Sequence, residues 1–172
     1  MRLIAFVPLA ALLALVGVSI FLLTREGERN RFTEGMIGQQ APAYALARLD
    51  SEAPPLTGEE RQGRAYVINL FASWCTPCRA EHAQLMALQR QGVDIVGIAY
   101  KDRPEASAAF LAELGNPFAD VGLDPEGRFG LEIGVTGVPE TFVIGPDGVI
   151  RAAYRGPLTD EAVRDVILPA LR

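Results

Sequence analysis

The longest uniform stretch of the chain is residues 3–23, LIAFVPLAALLALVGVSIFLL, 21 consecutive positions without a charge. As a helix it would extend roughly 31 Å, close to the ~30 Å hydrocarbon core of a bilayer. Pro8 within the run is compatible with a lipid-embedded helix, where neighbouring groups re-satisfy the freed backbone. A cleaved signal sequence has a shorter apolar region, about 7–15 residues, and ends at a small-x-small site. The exit SIFLLTREG offers none. The pattern predicts an uncleaved anchor over residues 1–23, one transmembrane helix. The charged, glycine-spaced segment TREGERNRFTEGMIG, 24–38, reads as a tether to a domain covering 39–172.

In that domain, short apolar runs alternate with helical periodicity. APAYALARL, 41–49, reads as an early strand, followed by a loop of turn formers, SEAPPLTGEE. AYVINLFA, 65–72, is a continuous apolar run of strand length, as a buried central strand requires. A helix is expected from Thr76–Pro77, with Pro in its first turn and Gly92 just past its end. VDIVGIA, 93–99, is a second buried strand. Asp102 and Glu105 form a D-x-x-E start signal for a helix ending at LGNP. FADVGLDPEGRFGLEIGV, 118–135, is broken by glycines and reads as an irregular central insert. ETFVIG and VIRAAYR flank a Pro-Asp-Gly turn and predict a hairpin. Thr159 caps a last helix running through Leu168. The order predicts an α/β domain: a mixed central sheet with helices on both faces, an extra N-terminal strand and a central insert.

Composition changes this picture little. Hydrophobic residues make up 49%, much of it in the anchor. Past the anchor, 15 basic residues face 21 acidic ones with no basic cluster, which argues against nucleic acid as a partner. Arg2 precedes the apolar span whereas Arg25, Arg29 and Arg31 follow it. The Lys/Arg count alone therefore disfavours export of the domain. The cysteine chemistry is given precedence over that count.

FASWCTPCRAEH, 71–82, holds both cysteines of the chain and its only histidine. A structural disulfide would close a four-residue loop and restrict the unfolded chain by only about 2 kcal/mol, a poor use of the only two cysteines. Haem attachment requires His directly after the second Cys, where Arg79 stands. A metal site on Cys75, Cys78 and His82 lacks a fourth ligand of the same type, so no metal is assigned. Redox chemistry fits better. Cys75 opens a helix whose free N–H groups favour its thiolate, and Cys78 is near enough to resolve a mixed disulfide. At about 100° per residue, Glu81 lies beside Cys78 on the core side of the helix. Desolvation there would raise its pKa and make it a proton acceptor for the resolving thiol. His82 reads as a partly exposed structural residue. Pro139, in GVTGVPETF, reads from sequence alone as a trans proline at a strand start.

WCTPC after an apolar strand, with GVPETF and a PDG hairpin downstream, resembles the thioredoxin superfamily. CRAEH, YKD at 100–102, LGNPF at 114–118 and GVTGVPETFVI resemble more narrowly the DsbE-type (CcmG) thiol:disulfide interchange proteins of cytochrome c biogenesis. The resemblance implies a thioredoxin-like fold in which Cys75 is the nucleophile, Cys78 resolves and the two form a redox-active disulfide. It implies a cis Pro139 facing them, and a substrate-facing surface of Trp74, Thr76, Pro77, Val138, Pro139 and Glu140. Glu140 would join Glu81 in an acidic pocket. Thioredoxins proper carry a buried acid six residues before the first cysteine; here Asn69, which cannot titrate, stands there. That puts the proton handling on Glu81. The implied function is a reductant on the periplasmic side of a bacterial inner membrane, anchored by residues 3–23 and requiring no cofactor. Its partners would be apocytochrome c, whose C-x-x-C-H pair it reduces, cytochrome c maturation proteins, and a transmembrane thiol reductase that supplies electrons. A general periplasmic reductase or oxidase, a metal chaperone and a non-catalytic scaffold are the alternatives.

Overall fold

In the computed structural model the described residues are Leu12, 14–19, 35–49 and 53–172. The chain divides into two compact units, Met1–Arg31 and Phe32–Arg172. In the first, Leu12 and residues 14–19 are helical. Most of the expected anchor lies outside the described residues, and among the described residues no helix is long and apolar enough to cross a membrane. The end of the expected tether belongs to the second unit. Residues 35–38 form a turn, Met36 packs on the core, and Gly38 N–H donates to the Ile150 carbonyl.

The second unit is built on a five-stranded sheet of order β5-β4-β3-β6-β7. Central β3 (Tyr66–Phe71) runs parallel to β4 (Ile95–Tyr100), which runs parallel to β5 (Asp120–Asp124). On its other side β3 pairs antiparallel with β6 (Glu140–Ile144), which continues through the Pro-Asp-Gly turn into antiparallel β7 (Ile150–Arg155). Every residue of β3 is buried, which explains why it reads as a nearly unbroken apolar run rather than an alternating one, and β6 beside it is buried throughout as well. A two-stranded ribbon, β1 (Ala45–Leu46) with β2 (Leu56–Thr57), accompanies the sheet.

Two layers cover the faces. Helices α1 (Thr76–Arg90) and α2 (Pro104–Leu114) pack on one face through Leu85, Leu88, Phe110 and Leu111. The C-terminal helix joins them through Ala162 and Ile167. It runs as α4 (Asp160–Ala162), a π-turn segment (Val163–Ile167) and α5 (Leu168–Ala170). Short α3 (Arg128–Glu132) lies on the opposite face, where Phe129 packs with Tyr44, Leu56, Ile68 and Phe142. Helices thus stand on both faces, as the pattern predicts. Gly97 is required at the centre of β4, since a Cβ there would meet the Phe118 ring at 2.6 Å.

Three local readings are corrected. The early strand is two residues long, and its partner β2 comes from SEAPPLTGEE, read as loop. The glycine-broken insert contains β5 and α3; glycines admit close packing there, as at Gly122, rather than irregularity. Asp102 does not cap α2. Arg103 is the N-cap residue and Pro104 lies in the first turn. The Thr159 cap is present, its hydroxyl accepting from Ala162 N–H.

Candidate active site

Helix α1 starts directly behind β3, so the residues between them lie at the C-terminal edge of the central strands. Cys75 is the N-cap residue, and its Sγ accepts a hydrogen bond from Cys78 N–H at 3.1 Å. Pro77 in the first turn has no N–H to leave unpaired there. Cys75 and Cys78 are joined in a disulfide, Cα–Cα 5.3 Å, and both are buried. Trp74, Thr76 and Pro77 are exposed around them. The Val138–Pro139 peptide is cis. Val138 packs against the cluster that contains both cysteines, and also against the cluster on the opposite face of the sheet.

Glu81, one turn beyond Cys78, is completely buried. Its Oε1 accepts from Asn69 Nδ2 at 2.8 Å and its Oε2 from Leu158 N–H at 2.8 Å. Burial pushes the carboxyl up to about 7 against the opposing effect of these two hydrogen bonds, and no charged neighbour contributes. Leu158 is reached through Gly156, whose N–H donates to the Pro139 carbonyl. One short segment therefore touches both the acid and the proline loop.

Two site expectations do not hold. Glu140 is fully buried and points away from Glu81. Side chains alternate along β6: Thr141 and Val143 face α1, whereas Phe142 and Ile144 belong to the opposite cluster, and Glu140 shares their parity. Its Oε1 accepts from Thr136 N–H and Oγ1 and pairs with Arg155 Nε at 3.1 Å. Glu140 thus braces the proline loop from below; it neither shares an acidic pocket nor presents a substrate-facing surface. His82 is buried rather than partly exposed, its Nε2 3.0 Å from the Gly115 carbonyl oxygen and its ring edge-on to Phe110. Burial, partly offset by hydrogen bonding to Gly115 and Leu114, holds its pKa below the usual imidazole range. Arg79 forks onto Glu113. Neither side chain hydrogen-bonds a cysteine among the described residues.

One positioning group is not evident from the local pattern. The Asp102 carboxylate accepts from Ser73 N–H at 2.7 Å, Ser73 Oγ at 2.9 Å, Ser107 Oγ and Arg103 N–H. Burial opposes its ionisation, but these bonds outweigh burial and hold the carboxyl below the usual range. Next to it, the Trp74 indole N–H donates to the Lys101 carbonyl at 3.2 Å. The signal available was topological: β3 and β4 are parallel neighbours and end at one edge, so residues just past each must meet.

Comparison with known proteins agrees with this geometry. Residues 36–167 match the Redoxin family. The thiol:disulfide interchange protein HelX of Rhodobacter capsulatus is 39% identical over 166 residues, covering 96% of this chain and 94% of HelX. The thiol:disulfide interchange protein DsbE of Yersinia pestis is 40% identical over 170 residues, covering 95% and 89%. A crystal structure of a thioredoxin-family thiol:disulfide interchange protein from Chlorobium tepidum superposes with TM-score 0.63 at 27% identity, covering 77% of this chain and 96% of that one. The chain belongs to the redoxin family, among the thiol:disulfide interchange proteins, and Cys75–Cys78 is its redox-active pair.

Proposed function

We propose that this redoxin-family oxidoreductase works as a reductant in cytochrome c maturation, acting on the C-x-x-C-H disulfide of apocytochrome c or on its mixed disulfide with a maturation factor. The observation that carries the direction is electrostatic. A strong oxidant stabilises its reduced thiolate with nearby positive charge. Here Arg79 is committed to Glu113 and His82 to Gly115, while the acid Glu81 is fully buried one turn beyond Cys78. A thiolate without such support is a better donor than acceptor of electrons. The substrate follows from the DsbE likeness and from the chemistry of haem ligation, which needs free thiols in an oxidising compartment.

In the proposed sequence the Cys75 thiolate attacks a substrate disulfide, forming a mixed disulfide and releasing the first substrate sulfur as a thiolate, which takes a proton from water. Cys78 gives its proton to Glu81 and attacks Cys75 Sγ, closing the Cys75–Cys78 bond and releasing the second substrate sulfur as a thiolate, which is likewise protonated from water. Trp74, Thr76, Pro77, Val138 and Pro139 receive the substrate, with the Val138 backbone offered to an extended segment. Residues 3–23 hold the domain on the periplasmic face of the inner membrane, and a transmembrane thiol reductase restores the dithiol.

Cys78→Ser stops the sequence at the mixed disulfide. In membranes making cytochrome c, it is expected to accumulate a dithiothreitol-sensitive adduct between Cys75 and an apocytochrome or a maturation protein, visible by non-reducing electrophoresis and mass spectrometry. Adducts spread over many unrelated exported proteins would instead indicate a general disulfide reductase, and absence of any adduct would sink the mechanism.

A further inference from the structure

The two oxygens of Glu81 face different kinds of partner. Oε2 meets the Leu158 backbone N–H, which can only donate. Oε1 meets Asn69 Nδ2 at 2.8 Å, and the same nitrogen lies 3.1 Å from Thr141 Oγ1. Asn69 and Thr141 are opposite residues of β3 and β6, and all three side chains are fully buried. Asn69 Oδ1 is buried with no hydrogen-bond partner among the described residues. One end of the amide is therefore bonded twice and the other not at all.

That arrangement favours the ionised state. An ionised carboxylate accepts, so the amide NH2 must face it. A proton on Oε2 would confront the Leu158 N–H, so protonation falls on Oε1, where it would confront the NH2 group. A half-turn of the amide removes the conflict. Oδ1 then occupies the position of Nδ2 and accepts from both Glu81 Oε1–H and the Thr141 hydroxyl, which can donate as readily as accept. The two ends of an amide are nearly isosteric, and in the recorded orientation the far end, Oδ1, makes no hydrogen bond that the half-turn would break. The orientations thus differ chiefly in which proton state of Glu81 they match.

We infer that Asn69 is a positioning residue for the Glu81 proton, its amide reversing together with the Thr141 hydroxyl each time Oε1 gains or loses that proton. This rests on the reading of Glu81 as acceptor for Cys78. In that step the Cys78 S–H bond breaks and the Oε1–H bond forms. The electron pair stays on sulfur and makes the new S–S bond to Cys75 as the substrate sulfur leaves. A fixed cation at position 69 would lock Glu81 ionised and an apolar side chain would lock it neutral, whereas a reversible amide serves both. Other ionisable groups on the packed elements do not compete. Among them, His82 is bonded to Gly115, Arg79 to Glu113, Asp160 to Gln84 and Arg164 to Asp165, while Glu140 with its partner Arg155 lies on the other face. The rise of the Glu81 carboxyl to about 7 agrees with a site that both states can occupy.

The test is a pH titration of the oxidised full-length chain by nuclear magnetic resonance, following the Glu81 carboxyl carbon and the Asn69 side-chain NH2. The nuclear Overhauser contacts from that NH2 to Thr141 are expected to disappear as Glu81 protonates, with the same midpoint. Contacts that persist below the midpoint overturn the inference without recourse to any variant. Asn69→Leu removes a hydrogen bond that favours the carboxylate, and is expected to raise the Glu81 midpoint by about one pH unit. An unmoved midpoint also counts against Asn69. The Glu81 reading is tested separately by the pH dependence of thiol alkylation in reduced Glu81→Gln. A profile like the wild type's removes that reading and the inference with it. A changed profile with a fixed amide removes the role of Asn69 alone.

Discussion

Glu81 is a residue whose chemistry and stability pull in opposite directions. Its folded pKa of about 7, raised by burial from 4.5, means that the native state holds this proton more tightly than the unfolded chain. Its favourable contribution is therefore complete below about pH 4.5 and is lost as pH rises through about 7. Glu81→Gln, which has no proton to lose, is expected to gain stability relative to the wild type across that window, by about 3 kcal/mol in full, with no further change above about pH 8. Urea unfolding of the oxidised protein at several pH values measures this, and a difference independent of pH would contradict it. The same substitution should slow disulfide exchange. Residue-scale parity also separates Glu81 from Glu140: one position along β6 decides which face a side chain enters, and Glu140 enters the face away from the cysteines.

At the scale of elements, the cysteine loop is held between two parallel β–α connections. Asp102, at the end of β4, binds Ser73 in front of the cysteines and Ser107 in α2, so the helix following β4 steadies the loop following β3. Asp102→Asn keeps the shape but exchanges a fourfold-bonded carboxylate for an amide with one acceptor oxygen. It is expected to cost about 2 kcal/mol at neutral pH and to loosen the Trp74 environment. Because the Asp102 pKa lies below its ordinary 3.8, its contribution is present above that value and is lost as pH falls through the lower folded value. The difference between variant and wild type should therefore shrink in acid. Trp74 is the only tryptophan, so its fluorescence during denaturation at neutral and acid pH reports both effects at the site itself.

At the scale of the whole molecule, a cluster of charges ties the N-terminal ribbon to the sheet. Arg48 and Arg61 both bond Asp120 of the edge strand β5, and Arg61, almost fully buried, also reaches Asp94. Beside these pairs, Leu49 N–H donates to the Val121 carbonyl and Leu123 N–H to the Ala47 carbonyl, covering an edge that would otherwise present unpaired backbone groups. The compact unit Phe32–Arg172 contains the disulfide, Glu81, the proline loop and every element that supports them. Deleting residues 1–31 is accordingly expected to leave reduction of a model disulfide in solution within about twofold of the full chain. In cells it should also move the protein from the membrane fraction to a soluble fraction and, because the same residues would carry the domain across the membrane, abolish cytochrome c maturation. Cell fractionation with an activity assay checks both, and a deletion variant that stays with the membrane would remove the anchor from the proposal.

Features set by near neighbours along the chain were legible in the amino-acid order. The apolar runs of β3 and β4, the Pro77 start and Gly92 end of α1, the Pro-Asp-Gly hairpin and the Thr159 cap arise from near neighbours and were legible for that reason. The cysteine pair, its spacing and the inward direction of Glu81 follow from helical periodicity alone. Strand register and contacts distant in sequence were set by the folded domain. It put Asn69 and Thr141 opposite each other under Glu81, brought Leu158 to the same carboxylate, turned Glu140 away, and joined Asp102 to Ser73. It also made strand and helix of the glycine-broken insert, because long-range pairing and close packing override weak local preference.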